Sequence, residues 1–156
     1  MSDDWQVVYL NRGWETKDMK QKILFLCTGN SCRSQIGEGL MRHLAGDKYE
    51  VFSAGVEPSR LHPMSILVMQ EIGVDIGHQT SDDVNDYLDS GINIIISVCD
   101  HAAQTCPTFP GDVQRVHWSL KDPFHGWDVD ESKLPDYRKT RDDLKQRIQG
   151  FLSNQA

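Results

Sequence analysis

The apolar positions of the chain follow two rhythms. Residues 23–27, ILFLC, and 92–99, INIIISVC, are nearly unbroken apolar runs, the pattern of parallel strands covered on both faces. Residues 49–55, YEVFSAG, have strand length and β-branched or aromatic content, and 113–118, VQRVHW, form a weaker fourth candidate. Between these runs the spacing becomes helical. Ile36, Leu40, Met41 and Leu44 share one face of a helix that stops at Gly46. Pro63 opens a second helix carrying Ile66, Leu67 and Ile72, which closes near Gly73. Ser81, Asp82 and Asp83 offer capping oxygens to a shorter helix. Tyr137, Leu144, Ile148 and Phe151, with charge between them, predict a long amphipathic helix from about Leu134.

Strands alternating with helices predict a three-layer α/β/α domain around a four-stranded parallel sheet, in which ligands bind beyond the carboxyl ends of the strands. Cys27 and Cys99 both fall at that end, on the two strongest strands. A chain of 156 residues is long enough for one substantial core and short for two. Residues 19–156 are read as that single domain. Residues 1–18 are read as an appendage, either docked as an edge strand through Trp5, Val7, Val8, Tyr9 and Leu10 or disordered.

Lys and Arg total 16 against 23 Asp and Glu, and the net charge of −7 argues against a nucleic-acid partner. No apolar run approaches the ~20 residues that span a bilayer, and MSDDWQVVYL lacks the basic start and apolar core of a secretion signal. The expected protein is a cytoplasmic monomer. In that reducing compartment, four cysteines are expected to be catalytic, metal-binding or buried rather than permanently paired.

The chemistry concentrates in LFLCTGNSCRS, residues 24–34. Cys27 and Arg33 bracket a loop, C-x5-R, between a strand and a helix. Such a loop turns successive backbone N–H groups inward at a helix N-terminus and so makes an anion cradle. Arg33 adds a planar fork able to grip two oxygens of a tetrahedral oxyanion. The same field should lower the Cys27 thiol and favour a thiolate at neutral pH. Ser34 can hydrogen-bond the sulfur, and Gly29 and Asn30 tolerate the dihedrals of a tight cradle. The competing reading is a buried structural cysteine near a surface arginine; the strand before, the helix after and the Arg-Ser ending favour the functional one.

CTGNSCRS resembles, residue for residue, the phosphate loop of the low-molecular-weight protein tyrosine phosphatases and of the arsenate reductases built on the same fold; the resemblance runs from about Met19 to the C-terminus. It implies a low-molecular-weight-phosphatase-like fold. It also implies an oxyanion site of Thr28, Gly29, Asn30, Ser31, Cys32, Arg33 and Ser34 around a Cys27 nucleophile. In that fold an Asp-Pro loop supplies a general acid, for which this chain offers Asp122-Pro123 in WSLKDPFHGW. Asp-Pro is also an ordinary turn.

A phosphatase has no need of CDHAAQTC, residues 99–106. Two cysteines seven apart at the end of a central strand are similar to those of the thioredoxin-coupled arsenate reductases, as is HWSLKDP. The resemblance implies a cascade: Cys27 attacks arsenate, Cys99 attacks Cys27 and expels arsenite, Cys106 attacks Cys99, and thioredoxin reduces the Cys99–Cys106 disulfide. In the phosphatases the cysteine at position 32 pairs reversibly with the nucleophile, whereas the reductases do not require it. Some of these reductases bind potassium through residues corresponding to Asn30, Glu38, Ser53, Thr80 and Asp82, oxygen donors suited to a hard cation.

Other readings stay open on the residues alone. Cys99, His101 and Cys106 are three zinc-ligand types without an evident fourth, and Cys99 suits a core position. A tyrosine phosphatase using Cys27, Arg33 and Asp122 is the first alternative, with Phe124 as an aryl guide. An oxyanion-binding or redox module without turnover is the second. Two alanines, a glutamine and a capping aspartate in DHAAQT predict a short helix between Cys99 and Cys106 in the reduced protein.

Overall fold

A computed structural model describes residues 20–155. The reading of residues 1–18 as an appendage lies outside them. Four parallel strands, β1 (Gln21–Cys27), β2 (Tyr49–Gly55), β3 (Ile94–Ser97) and β4 (Gln114–His117), form one sheet in the order β2-β1-β3-β4. Helices α1 (Arg33–Ala45), α2 (Pro63–Gln70), α3 (Asp100–Thr105) and α4 (Leu134–Gln155) alternate with them, with 3-10 turns at Val84–Tyr87 and Glu131–Lys133.

The central strands are the ones with unbroken apolar runs. Ile23, Leu24, Phe25 and Leu26 of β1, and Ile94, Ile95 and Ile96 of β3, are buried, because helices cover both faces of the sheet. β4 is the edge strand, and Gln114, Arg115 and His117 are exposed, which explains its weak signal. α1 lies close on β1: a Cβ on Gly37 would come 2.6 Å from Phe25 Cδ1. α4 buries Tyr137, Leu144, Ile148 and Phe151 as its period requires, and also Arg141, which donates to the Val68 carbonyl.

Three expectations are corrected. α2 buries Met64, Val68 and Met69, with Ile66 only partly buried against the core and Leu67 exposed, since the core lies on the side of the helix set by its contact with α4. The segment after Ser81 forms only one 3-10 turn, capped by Asp83 accepting from the Asn85 amide. The third strand is shorter than 92–99, although the Val98 amide still bonds Leu26 O at 2.9 Å. Among the described residues no helix is long and apolar enough to cross a membrane.

Register places the chemistry. Cys27 ends β1 opposite Gly55 at the end of β2, and Leu26 pairs with Ser97, so the segments after β1 and β3 leave the sheet side by side.

Candidate active site

The loop after β1 satisfies its carbonyls on its outer side. The carbonyls of Cys27, Thr28, Gly29, Ser31 and Cys32 accept from the amides of Val56, Glu57, Ser59, His62 and Ile36, and Asn30 O accepts from Gln35 Nε2. On the side of Cys27, the Asn30 amide turns to the sulfur at 3.2 Å. Asn30 makes this possible with φ of 49°, in the left-handed region. Gly55 is required where it stands: a Cβ there would meet Thr28 O at 2.5 Å. α1 begins directly after the loop with no side-chain cap and no acidic residue in its first turn, which leaves its first amides and the positive end of its dipole available to an anion.

Cys27 is buried at the bottom of a cavity of about 330 Å³, walled by Thr28, Gly29, Ser31, Cys32, Arg33, Ser59, Asp122, Phe124 and Trp127. Its sulfur lies 2.8 Å from Ser34 Oγ and accepts from the Asn30 amide at 3.2 Å. Burial pushes the thiol up from its ordinary value, while Ser34, Arg33 and the Asn30 amide pull against it. The lowered value expected from the helix end and the arginine is therefore corrected, because loss of water around the sulfur is the largest influence. Cys32 is pushed up to about 11 by burial; its thiol faces Tyr137 Oη at 3.7 Å.

Arg33 is held between two groups. Nη1 donates to Leu120 O at 2.9 Å, and Nη2 lies 3.3 Å from Asp122 Oδ2. Its Nε is buried with no hydrogen-bond partner among the described residues. A buried guanidinium N–H left unsatisfied is costly, and a tetrahedral oxyanion in the cavity is the kind of ligand that would satisfy it. Asp122 is half exposed at the rim and fixes its own loop by accepting from the Phe124 amide.

Cys99 is the N-cap residue of α3 and Cys106 follows its last turn; all four cysteines are free thiols. Cys99 Sγ lies 3.3 Å from Thr28 Oγ1, which brings it to the residue next to Cys27. Cys106 is half-buried, with Arg115 Nη1 at 3.5 Å from its sulfur. The helix expected between them is present. No cluster of three metal-ligating His, Cys, Asp or Glu side chains occurs among the described residues, so Cys99, His101 and Cys106 form no zinc site there.

The five residues compared with a potassium site stand in one network behind the loop. Asn30 Nδ2 donates to Ser34 Oγ and Ser53 Oγ, Ser53 Oγ donates to Glu38 Oε1, and the Asp82 amide donates to Asn30 Oδ1. Thr80 Oγ1 and Tyr87 Oη donate to the two Asp82 oxygens. Burial, opposed by Ser53 and Arg42, raises the Glu38 carboxyl, and Asp82 adds to the rise. Arg42 Nη2 bonds Glu38 Oε2 and the Val51 carbonyl, and Nη1 reaches Gln79 Oε1.

Within the predicted oxyanion set, Thr28, Gly29, Ser31, Cys32 and Arg33 line the cavity, whereas the side chains of Asn30 and Ser34 are buried behind it and support Cys27. Sequence reasoning missed Ser59, His62, Arg42 and Trp127. Of these only Trp127, soon after Asp-Pro and Phe124, left a local signal.

Comparison with known proteins agrees with this geometry. Residues 22–156 match the family described as low molecular weight phosphotyrosine protein phosphatase. An arsenate reductase of Halalkalibacterium halodurans is 42% identical over 132 residues, 85% of this chain and 95% of its own. A solved arsenate reductase in its phosphate-binding state is 32% identical, with a TM-score of 0.69 over 86% of this chain and 98% of that one. The Corynebacterium glutamicum thioredoxin-dependent arsenate reductase is 26% identical, with a TM-score of 0.61 over 94% of this chain and 71% of that one. The cradle around Cys27 and the match over nearly all of the described residues agree: the chain belongs to the low molecular weight phosphotyrosine protein phosphatase family, on the branch of its arsenate reductases.

Proposed function

We propose that this chain reduces arsenate to arsenite by displacement at Cys27, followed by a disulfide cascade through Cys99 and Cys106 that thioredoxin reverses in the cytoplasm. The cradle amides and Arg33 hold the oxyanion. The Cys27 thiol passes its proton to the incoming dianion, and the sulfur attacks arsenic. One oxygen leaves as water with a proton from Asp122. Cys99 then attacks the Cys27 sulfur; the S–As electron pair stays on arsenic, which departs as arsenite while a Cys27–Cys99 disulfide forms. Attack of Cys106 on Cys99 frees Cys27, and the thioredoxin dithiol supplies two electrons to the Cys99–Cys106 disulfide.

The observation that carries this is the contact of Cys99 Sγ with Thr28 Oγ1, which sets a second thiol beside the nucleophile's loop with a third across one short helix. A phosphatase uses neither. The curated relative named arsenate reductase and the thioredoxin-dependent structural neighbour support the same chemistry. A tyrosine phosphatase reading is favoured by one feature, the Phe124 and Trp127 walls suited to an aryl group.

A potassium ion would be held by Asn30, Glu38, Ser53, Thr80 and Asp82 and would neutralise the two carboxylates. Arg42 already places a guanidinium on Glu38, so the network supports an internal cation in that role and no step is assigned to potassium.

The test is arsenate-dependent NADPH oxidation with thioredoxin and its reductase. Wild type should turn over, Cys27→Ser should be inert, and Cys106→Ser should stop after one arsenite with Cys27 and Cys99 joined. Sustained cycling by Cys106→Ser would remove Cys106 from the cascade, and aryl phosphate hydrolysis without arsenite production would establish the phosphatase reading instead.

A further inference from the structure

His62 is fully buried beside the site, and the chemistry above does not use it. Its backbone N–H donates to Ser31 O of the phosphate loop at 3.1 Å. Its side chain has two distinct bonds. Nδ1 accepts from the Met64 amide at the start of α2, so the proton sits on Nε2, which donates to Gly126 O at 2.7 Å. Gly126 has φ of 107°, a conformation few other residues adopt, at the carbonyl that receives this bond. The imidazole also stacks on Trp127, with centroids 5.2 Å apart and planes 16° apart, and meets Phe124 edge-on at 5.8 Å. Trp127 carries Arg60 over its ring at 4.2 Å.

From this juxtaposition we infer that His62 is a positioning residue, a clasp that fastens the Asp122–Trp127 loop to the phosphate loop and so sets Asp122 over Cys27. Its inference rests on the catalytic roles given to Cys27 and Asp122. The reason for histidine is geometric. A flat ring with an acceptor at one nitrogen and a donor at the other spans α2 and Gly126 while presenting a face to Trp127. Asparagine can replace the acceptor but reaches neither Gly126 nor the indole.

That difference separates clasp from scaffold. His62→Asn keeps an acceptor for the Met64 amide and should melt close to wild type, whereas His62→Ala loses the cap as well. In His62→Asn, amide exchange across 124–128 should quicken while β1 stays protected. Single-turnover displacement at Cys27, measured with arsenate and with phenyl phosphate, should slow by roughly 10- to 100-fold, as expected for a misplaced acid. Inhibition by inorganic phosphate should remain within about threefold, because the cradle amides are untouched. Trp127→Ala, which leaves the α2 cap intact, should show the same split.

In an Asp122→Asn background His62→Asn should add little, since both changes remove one acid's contribution. Equal losses in rate and phosphate affinity, additive effects with Asp122→Asn, or unchanged exchange across 124–128 would each overturn the clasp. Exchange and phosphate binding require no reductase activity. A wild type that hydrolyses phenyl phosphate without reducing arsenate would therefore refute the reductase reading and leave the clasp standing.

Discussion

Oxidising Cys99 and Cys106 to a disulfide should melt α3. The two residues flank the helix, and seven helical steps of ~1.5 Å set their Cα atoms roughly 10 Å apart. A disulfide closes at about 4.4–6.8 Å, so at least ~3 Å of approach has to come from the backbone. The helix yields cheaply. It has six residues, well below the length that holds in isolation, and its first-turn ties are the Ala103 amide on Cys99 O, Asp100 on His117 and His101 on Glu57. At about 0.5–1.5 kcal/mol per hydrogen bond, losing two or three costs about 1–4 kcal/mol. That corresponds to amide exchange roughly 5- to 1,000-fold faster across 103–106. The assay is hydrogen exchange on reduced and oxidised protein carrying Cys27→Ser and Cys32→Ser, so that only Cys99 and Cys106 can pair. β1 amides serve as the internal reference. Equal protection of 100–106 in both states, with the disulfide verified by mass, would refute the switch and imply that the bond forms on an intact helix.

Arg33→Lys should lower kcat/KM by about 10²-fold or more and weaken phosphate inhibition, because a single ammonium lacks the planar fork that reaches Leu120 O and Asp122 at once and can also grip an oxyanion; wild-type kinetics would remove Arg33 as the clamp. Gly55→Ala should weaken phosphate binding by about tenfold or more in calorimetry, since its methyl would strike the backbone oxygen of Thr28 and shift the cradle; unchanged affinity would show that the loop absorbs the shift. Wild type should have the same turnover and Tm in potassium and in sodium chloride, and Arg42→Gln, which strips the cation from buried Glu38, should become potassium-dependent in both. A wild-type response to potassium would argue that Arg42 does not fill that role.

The phosphate loop was legible in the sequence because its chemistry is local. Cys27, Asn30, Arg33 and Ser34 lie within eight positions between a strand and a helix, so their order alone marks the cradle, although the amides of Val56, Glu57, Ser59 and His62 are what hold its carbonyls. β1 and β3 were legible because a strand covered on both faces has nowhere to put a polar side chain. The edge strand β4 and the inward face of α2 were read less well, since local pattern cannot say which side of an element meets the core.

What tertiary structure decided is what depends on desolvation and on residues far apart in the chain. The pattern around Cys27 predicts a lowered thiol, but packing removes the water that would favour its charge. Thr28 meets Cys99 across 71 positions, and His62 meets Gly126 across 64. No local period encodes such contacts. They exist because parallel strands deliver their carboxyl ends to one edge of the sheet, where loops remote in sequence must share the same space.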